Sequence, residues 1–122
     1  MEGQARRLFE TLQADGWAEL LSIEFIYFAD LGLEVKSKDD EIWLLTQSRG
    51  IMILTGNRND DDETSLTAVI RRENTSTSLP AITVGSVERI KEPEYRQAAA
   101  LRLAEILFYL EDNLGAGRLY IP

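Results

Sequence analysis

Hydrophobic positions along this chain switch repeatedly between two periods. Ala5, Leu8, Phe9 and Leu12 recur at helical spacing within residues 3–13, which predicts an amphipathic helix stopped by Asp15-Gly16. Residues 17–28 change character. There Ile23, Phe25 and Tyr27 alternate with Glu24, and β-branched and aromatic side chains dominate, so a strand is expected. Leu31-Gly32-Leu33 then turns the chain. Ser37, Lys38, Asp39, Asp40 and Glu41 form a helix start: Ser37 or Asp39 can accept from the unpaired backbone N–H groups, and the acids suit the positive end of the dipole. Ile42, Trp43, Leu45 and Thr46 fill a short helix that ends at Arg49-Gly50.

Ile51-Met52-Ile53-Leu54-Thr55 is a continuous apolar run, the pattern of a strand buried on both faces. A polar, acidic loop over residues 56–63 leads to a helix opened by Thr64 or Ser65, which runs through Leu66, Val69 and Ile70 to Glu73. After a Ser/Thr-rich loop at 74–78, residues 79–84 read as a second buried strand with Pro80 at its start. Pro93 suits the first turn of a long helix over 94–114. Tyr95, Ala99, Leu103, Ile106, Leu110 and Leu114 form its core stripe, and Gly115 caps it. Residues 118–121 are compatible with a short final strand. Alternation of this kind predicts one α/β domain spanning residues 1–122, a parallel sheet with helices on both faces and right-handed crossovers.

Charge narrows what such a domain can do. Lys+Arg is 13 against Asp+Glu 21, with no histidine, for a net charge of −8. That balance opposes a sequence-independent grip on nucleic acid and a peripheral anchor on anionic lipid. With no cysteine and no histidine, disulfides, thiolate or imidazole metal ligands and the Ser-His-Asp triad are excluded. Carboxylates, hydroxyls, amides and Lys/Arg remain. No stretch reaches the roughly 20 apolar residues of a membrane span. Residues 1–7 lack the apolar segment of a signal peptide, so a cytoplasmic protein with no membrane association is expected.

In open parallel sheets, sites lie beyond the carboxyl ends of the strands. The loop after Thr55 meets that condition, and its Asp60, Asp61, Asp62 and Glu63 cluster oxygens suited to Mg²⁺ or Mn²⁺. Acidic runs are more often solvated loops, and this one also precedes a helix start. Asp39-Asp40-Glu41 is the second acidic group; capping accounts for Asp39 and leaves Asp40 over. Arg58 can neutralise these acids or contact a phosphate. On the long helix, Leu101, Phe108 and Tyr109 fall off the core stripe, which points to a subunit interface or to burial on two sides.

Several segments together resemble a bacterial PIN-like family of unknown function. They are the Gly3-Gln4-Ala5 helix start, Asp40-Glu41-Ile42-Trp43, Ile53-Leu54-Thr55-Gly56-Asn57-Arg58-Asn59, Ser65-Leu66, and the closing Gly117-Arg118-Leu119-Tyr120-Ile121-Pro122. The resemblance covers nearly the whole chain and implies a three-layer parallel α/β fold. Active PIN domains are metal-dependent ribonucleases, many of them toxins of toxin–antitoxin pairs, with three or four acids around Mg²⁺ or Mn²⁺. It implies Asp40 as the acid opening the mid-domain helix. Asn57 and Asn59 stand where active members carry acids, and Asp60 or Asp61 is placed to compensate. It also implies a buried strand ending in aspartate before the first helix, which the sequence beginning at Met1-Glu2 does not contain.

Two functions are therefore expected as alternatives. One is a weak or residual Mg²⁺/Mn²⁺-dependent ribonuclease, with Asp40, Asn57 and Asp60 catalytic and Asn59 and Asp61 further ligands. The other is a non-catalytic interaction module, a homodimeric or antitoxin-binding scaffold on the same fold. A homodimer is expected in either case, because the missing strand leaves an exposed edge.

Overall fold

The computed structural model describes residues 2–34, 37–56 and 65–122. Helix α1 spans Glu2–Ala14, and a single turn, α2, spans Trp17–Leu20. Helix α3 (Asp39–Arg49) leads into strand β1 (Leu54–Thr55). Helix α4 (Leu66–Glu73) leads into β2 (Ala81–Val84). Helix α5 (Pro93–Phe108) and the short α6 (Leu110–Asn113) precede β3 (Arg118–Ile121). Among the described residues the sheet is three-stranded and wholly parallel, in the order β1-β2-β3. The expected parallel α/β architecture is thus present, with shorter strands than the apolar runs.

Strand alternation sends successive side chains to opposite faces. Ile82, Val84 and Ile121 pack with Leu8 and Leu12 of α1 and with Ala99, Leu103 and Ile106 of α5. Ile53 and Ala81 pack instead with Ile42 and Trp43 of α3 and Leu66 and Val69 of α4. Helices therefore cover both faces. Helix pairing decides the sides: α4 lies against α3 and α5 against α1.

Local signals explain most boundaries. Ser65 caps α4 by accepting from the Ala68 N–H at 3.3 Å. Pro93 occupies the first turn of α5. Gly115 has φ +81, and a Cβ there would meet the Ser76 backbone at 3.0 Å, so a glycine is required at this turn.

Four expectations are corrected. The alternating segment at 17–28 is not a strand. It is α2, then an irregular stretch, then a 3-10 turn at Phe28–Leu31. Its side chains do alternate between half-buried and exposed from Leu21 to Tyr27, but the half-buried ones lie on α1 rather than in the sheet. Phe25 stacks on Phe9 with ring centroids 5.6 Å apart, and the Tyr27 hydroxyl is hydrogen-bonded by Arg6. The long helix breaks at Tyr109, where the Asn113 amide donates to the carbonyls of Ile106 (3.2 Å) and Tyr109 (3.1 Å) and so competes with the helical ladder. The run at 51–55 is mostly half-buried, with only Ile53 in the core, because β1 lies at a sheet edge. Neither Ser37 nor Asp39 caps α3: Ser37 accepts from the Glu34 N–H at 2.9 Å, and the cap position belongs to Lys38 without a side-chain bond.

Candidate functional site

The carboxyl end of the sheet is located by contacts at its opposite end. Gln47, near the end of α3, exchanges two hydrogen bonds with the backbone of Leu79, its amide donating to the carbonyl at 2.8 Å and its oxygen accepting from the N–H at 2.9 Å. Asn74, just past α4, donates to the Gly115 carbonyl at 2.9 Å. Both helices therefore finish where β2 and β3 begin, and both start at the carboxyl ends of the strands. Asp39 and Asp40 open α3 on that side.

Strand register adds a row of hydroxyls on the same face. Thr55 pairs with Thr83, and Thr83 with Tyr120, so three neighbouring strands present Thr, Thr and Tyr next to their carboxyl ends. The row grades from the half-buried Thr55 through the fully buried Thr83 to the half-exposed Tyr120. Among the described residues the buried Thr83 hydroxyl oxygen has no hydrogen-bond partner, a cost in stability for a polar atom in the core. Arg118 stands one pleat before Tyr120 on the same face, beside Ala81.

Of the two acids, Asp39 is the one turned into this environment. Burial pushes its carboxyl above the ordinary carboxylate value, and the neighbouring Asp40 charge adds to the push. A hydrogen bond from the Leu66 backbone N–H and the Arg118 guanidinium pull the other way. Asp39 thus bridges α3 to the first turn of α4, which the sequence reading assigned to capping of its own helix. Asp40, expected to face the loop, uses Oδ1 to accept from the Glu41 N–H at 2.8 Å. Asn57, Asn59, Asp60 and Asp61 lie outside the described residues.

Mg²⁺ asks for near-octahedral oxygen donors at about 2.0–2.1 Å. The described residues alone do not match that demand. Asp39 already accepts from a backbone N–H and faces a guanidinium, one oxygen of Asp40 accepts from the Glu41 N–H, and no group of three acids gathers among the described residues. The hydroxyl row and Asp39 instead form a polar end wall with hydrogen-bonding capacity and one acid of raised pKa. Sequence reasoning missed Thr55, Thr83 and Tyr120. Their signal was their position in each strand, and it becomes readable only once the register is known.

Elsewhere, a shallow hollow of about 450 Å³ is lined by Gly3, Gln4, Arg7, Glu88 and Lys91 and shares no residue with this wall. Leu101, Phe108 and Tyr109 are about half or more exposed, at 48%, 60% and 57%. Phe108 and Tyr109 meet edge-to-face at 4.9 Å.

Fold and site together define a small mixed α/β protein with a three-stranded parallel sheet and a hydroxyl-bearing sheet end among the described residues. No protein-family model, curated protein or solved structure matches the chain. No described helix is long and apolar enough to cross a membrane.

Proposed function

We propose that this chain is a non-catalytic interaction module of the PIN-like type, acting in the cytoplasm as a homodimer or with an antitoxin-like protein partner. The observation that carries the reading is the exposed apolar surface of α5 and its C-cap, where Leu101, Phe108 and Tyr109 are about half or more exposed. Exposed aromatic clusters of this kind are typical anchors of protein–protein contacts. The engagement of Asp39 with Leu66 and Arg118 supports the same reading, because the acid at the sheet end is used to join two helices. Sedimentation equilibrium at tens of micromolar tests it. An assembly larger than one chain, or capture of a defined protein partner that Phe108→Glu abolishes, is the expected result. A strictly monomeric chain whose partner binding is untouched by Phe108→Glu overturns it.

A second reading is a weak or residual Mg²⁺/Mn²⁺-dependent ribonuclease, and one observation favours it. Asp39 is a carboxyl of raised pKa at the carboxyl end of a parallel sheet, beside a row of hydroxyls, and perturbed acids concentrate at functional sites. RNA cleavage that requires Mn²⁺ and is lost in Asp39→Asn but kept in Asp40→Ala would establish it. Melting curves of the wild type that coincide with and without millimolar Mn²⁺, together with no cleavage, would remove it, since a ligand bound only by the native state raises stability.

A further inference from the structure

Helix α5 has two sides of different character. Tyr95, Ala99, Leu103 and Ile106 are buried on one of them. On the other, Glu94, Ala98, Leu101, Glu105 and Phe108 are all exposed, and they recur at intervals of 4, 3, 4 and 3 residues. That 3.5-residue average is the period of a seam that packs lengthwise against a second helix. At 1.5 Å per residue the seam runs for about 21 Å. Its charge is one-sided. The seam positions include two carboxylates and no cation, and Glu111 and Asp112 follow just beyond its end. Among the described residues the carboxylates of Glu94, Glu111 and Asp112 have no partner. Glu105 has Arg102 at 3.6 Å, an exposed pair that solvent weakens. The other cation of α5, Arg96, is turned to the opposite side, donating to Thr11 Oγ1 at 3.2 Å and to the Ile90 carbonyl at 2.8 Å.

We infer that this seam docks a basic amphipathic helix of another protein, with Lys or Arg opposite Glu94 and Glu105 and apolar side chains opposite Ala98, Leu101 and Phe108. The inference rests on the interaction-module reading above and chooses between its two partners. Charge complementarity makes the choice. A second copy would bring the same seam, so self-pairing sets Glu94 and Glu105 against apolar side chains or against each other. Either outcome takes carboxylates out of water without a counter-charge at the seam, which is costly. The two chains also repel as wholes, since each carries −8. A basic helix answers both acids and is drawn in by the net charge. Phe108, edge-to-face with Tyr109, supplies an aromatic anchor at one end of the contact. The 4-3-4-3 spacing selects a helix over an extended peptide, because only a helix presents side chains at that interval. Nucleic acid is opposed by the same carboxylates that favour the basic helix.

Two synthetic helical peptides test the inference. One carries Lys-Leu-Leu-Lys-Leu at the same spacing, made in both chain directions, and the other has Glu in place of each Lys. Fluorescence anisotropy of the labelled peptides is expected to show that the wild type binds the Lys peptide, more weakly as salt rises, and the Glu peptide at least about tenfold less tightly. Glu94→Lys combined with Glu105→Lys changes only exposed side chains, so the fold is retained, and it should invert that preference. Phe108→Glu should weaken the Lys peptide by about tenfold through loss of the anchor. Attraction by charge alone would leave that binding equal or tighter. A Lys peptide that does not bind, or a preference that survives the double substitution, overturns the inference. A wild type that dimerises through α5 and is dissociated by Phe108→Glu also overturns it, while leaving the interaction-module reading intact. A monomeric wild type whose binding of the Lys peptide is untouched by Phe108→Glu overturns both.

Discussion

The two faces of the sheet are built from the same three strands and yet obey different rules. On the α1/α5 face every buried strand side chain is aliphatic: Ile82, Val84 and Ile121, against Leu8, Leu12, Ala99 and Ile106. On the α3/α4 face, Ile53 and Ala81 share the surface with the buried Thr83, with Arg118 and with the acid Asp39. The first face gains stability from area removed from water and needs no directional partner. The second must satisfy polar groups at close quarters, and the Thr83 hydroxyl finds no partner among the described residues. A face that carries that cost beside the carboxyl ends of parallel strands is where this fold has put polarity ahead of stability.

Four measurements break or sharpen this contrast. The largest effect is expected on the aliphatic face: Ile82→Ala should lower unfolding free energy by about 2–5 kcal/mol, because it opens a cavity in a close-packed layer. Urea titration reads this directly, and a cost below that of any α3/α4 substitution would reverse the assignment of the main core.

On the polar face, Asp39→Ala should cost about 0.5–2 kcal/mol through the lost bond to the first turn of α4. Asp40→Ala, whose carboxylate reaches only the next N–H of its own helix, should stay within about 0.5 kcal/mol. Equal losses in thermal melts would mean that both acids act alike. Thr83→Val should run the other way and stabilise by about 1 kcal/mol, since a buried hydroxyl without a partner among the described residues is replaced by an apolar group of the same shape. A destabilised Thr83→Val protein would show that the hydroxyl is satisfied in solution.

The smallest effect is in pH dependence. Burial holds the folded-state pKa of Asp39 above its ordinary value of 3.8, so the folded state binds this proton more tightly than the unfolded state. The corresponding stability is present below 3.8 and is lost as pH rises through the folded value. Asp39→Asn should therefore gain stability relative to wild type as pH is raised from the acid range to neutrality. Parallel stability–pH curves for the two proteins would place Asp39 in a water-like environment.

Periodicity carried much of the architecture. The stripe Ala5, Leu8, Leu12 is buried as a helix face, and Ser65, Pro93 and Gly115 mark element ends through their own backbone chemistry. These signals are legible because spacing and capping act within a few residues. Even the misassigned segment shows the limit clearly: Ile23, Phe25 and Tyr27 do turn to one side, as period two requires. Whether an extended segment becomes a strand depends on a neighbouring edge, and here α1 lies beneath it instead. The break at Tyr109 arises similarly from an Asn113 side chain folding back on the helix.

The sequence by itself determined that this is an acidic, cysteine- and histidine-free α/β chain with parallel strands between helices, because composition and local periodicity are properties of the covalent chain. Only the tertiary structure decided which acid faces the sheet end. Asp39 and Asp40 are adjacent and chemically identical, and the choice depends on where the first turn of α4 is packed. It also decided that Thr55, Thr83 and Tyr120 form one row, since residues 28 and 37 positions apart meet only through strand register, which long-range hydrogen bonding sets and no local pattern records.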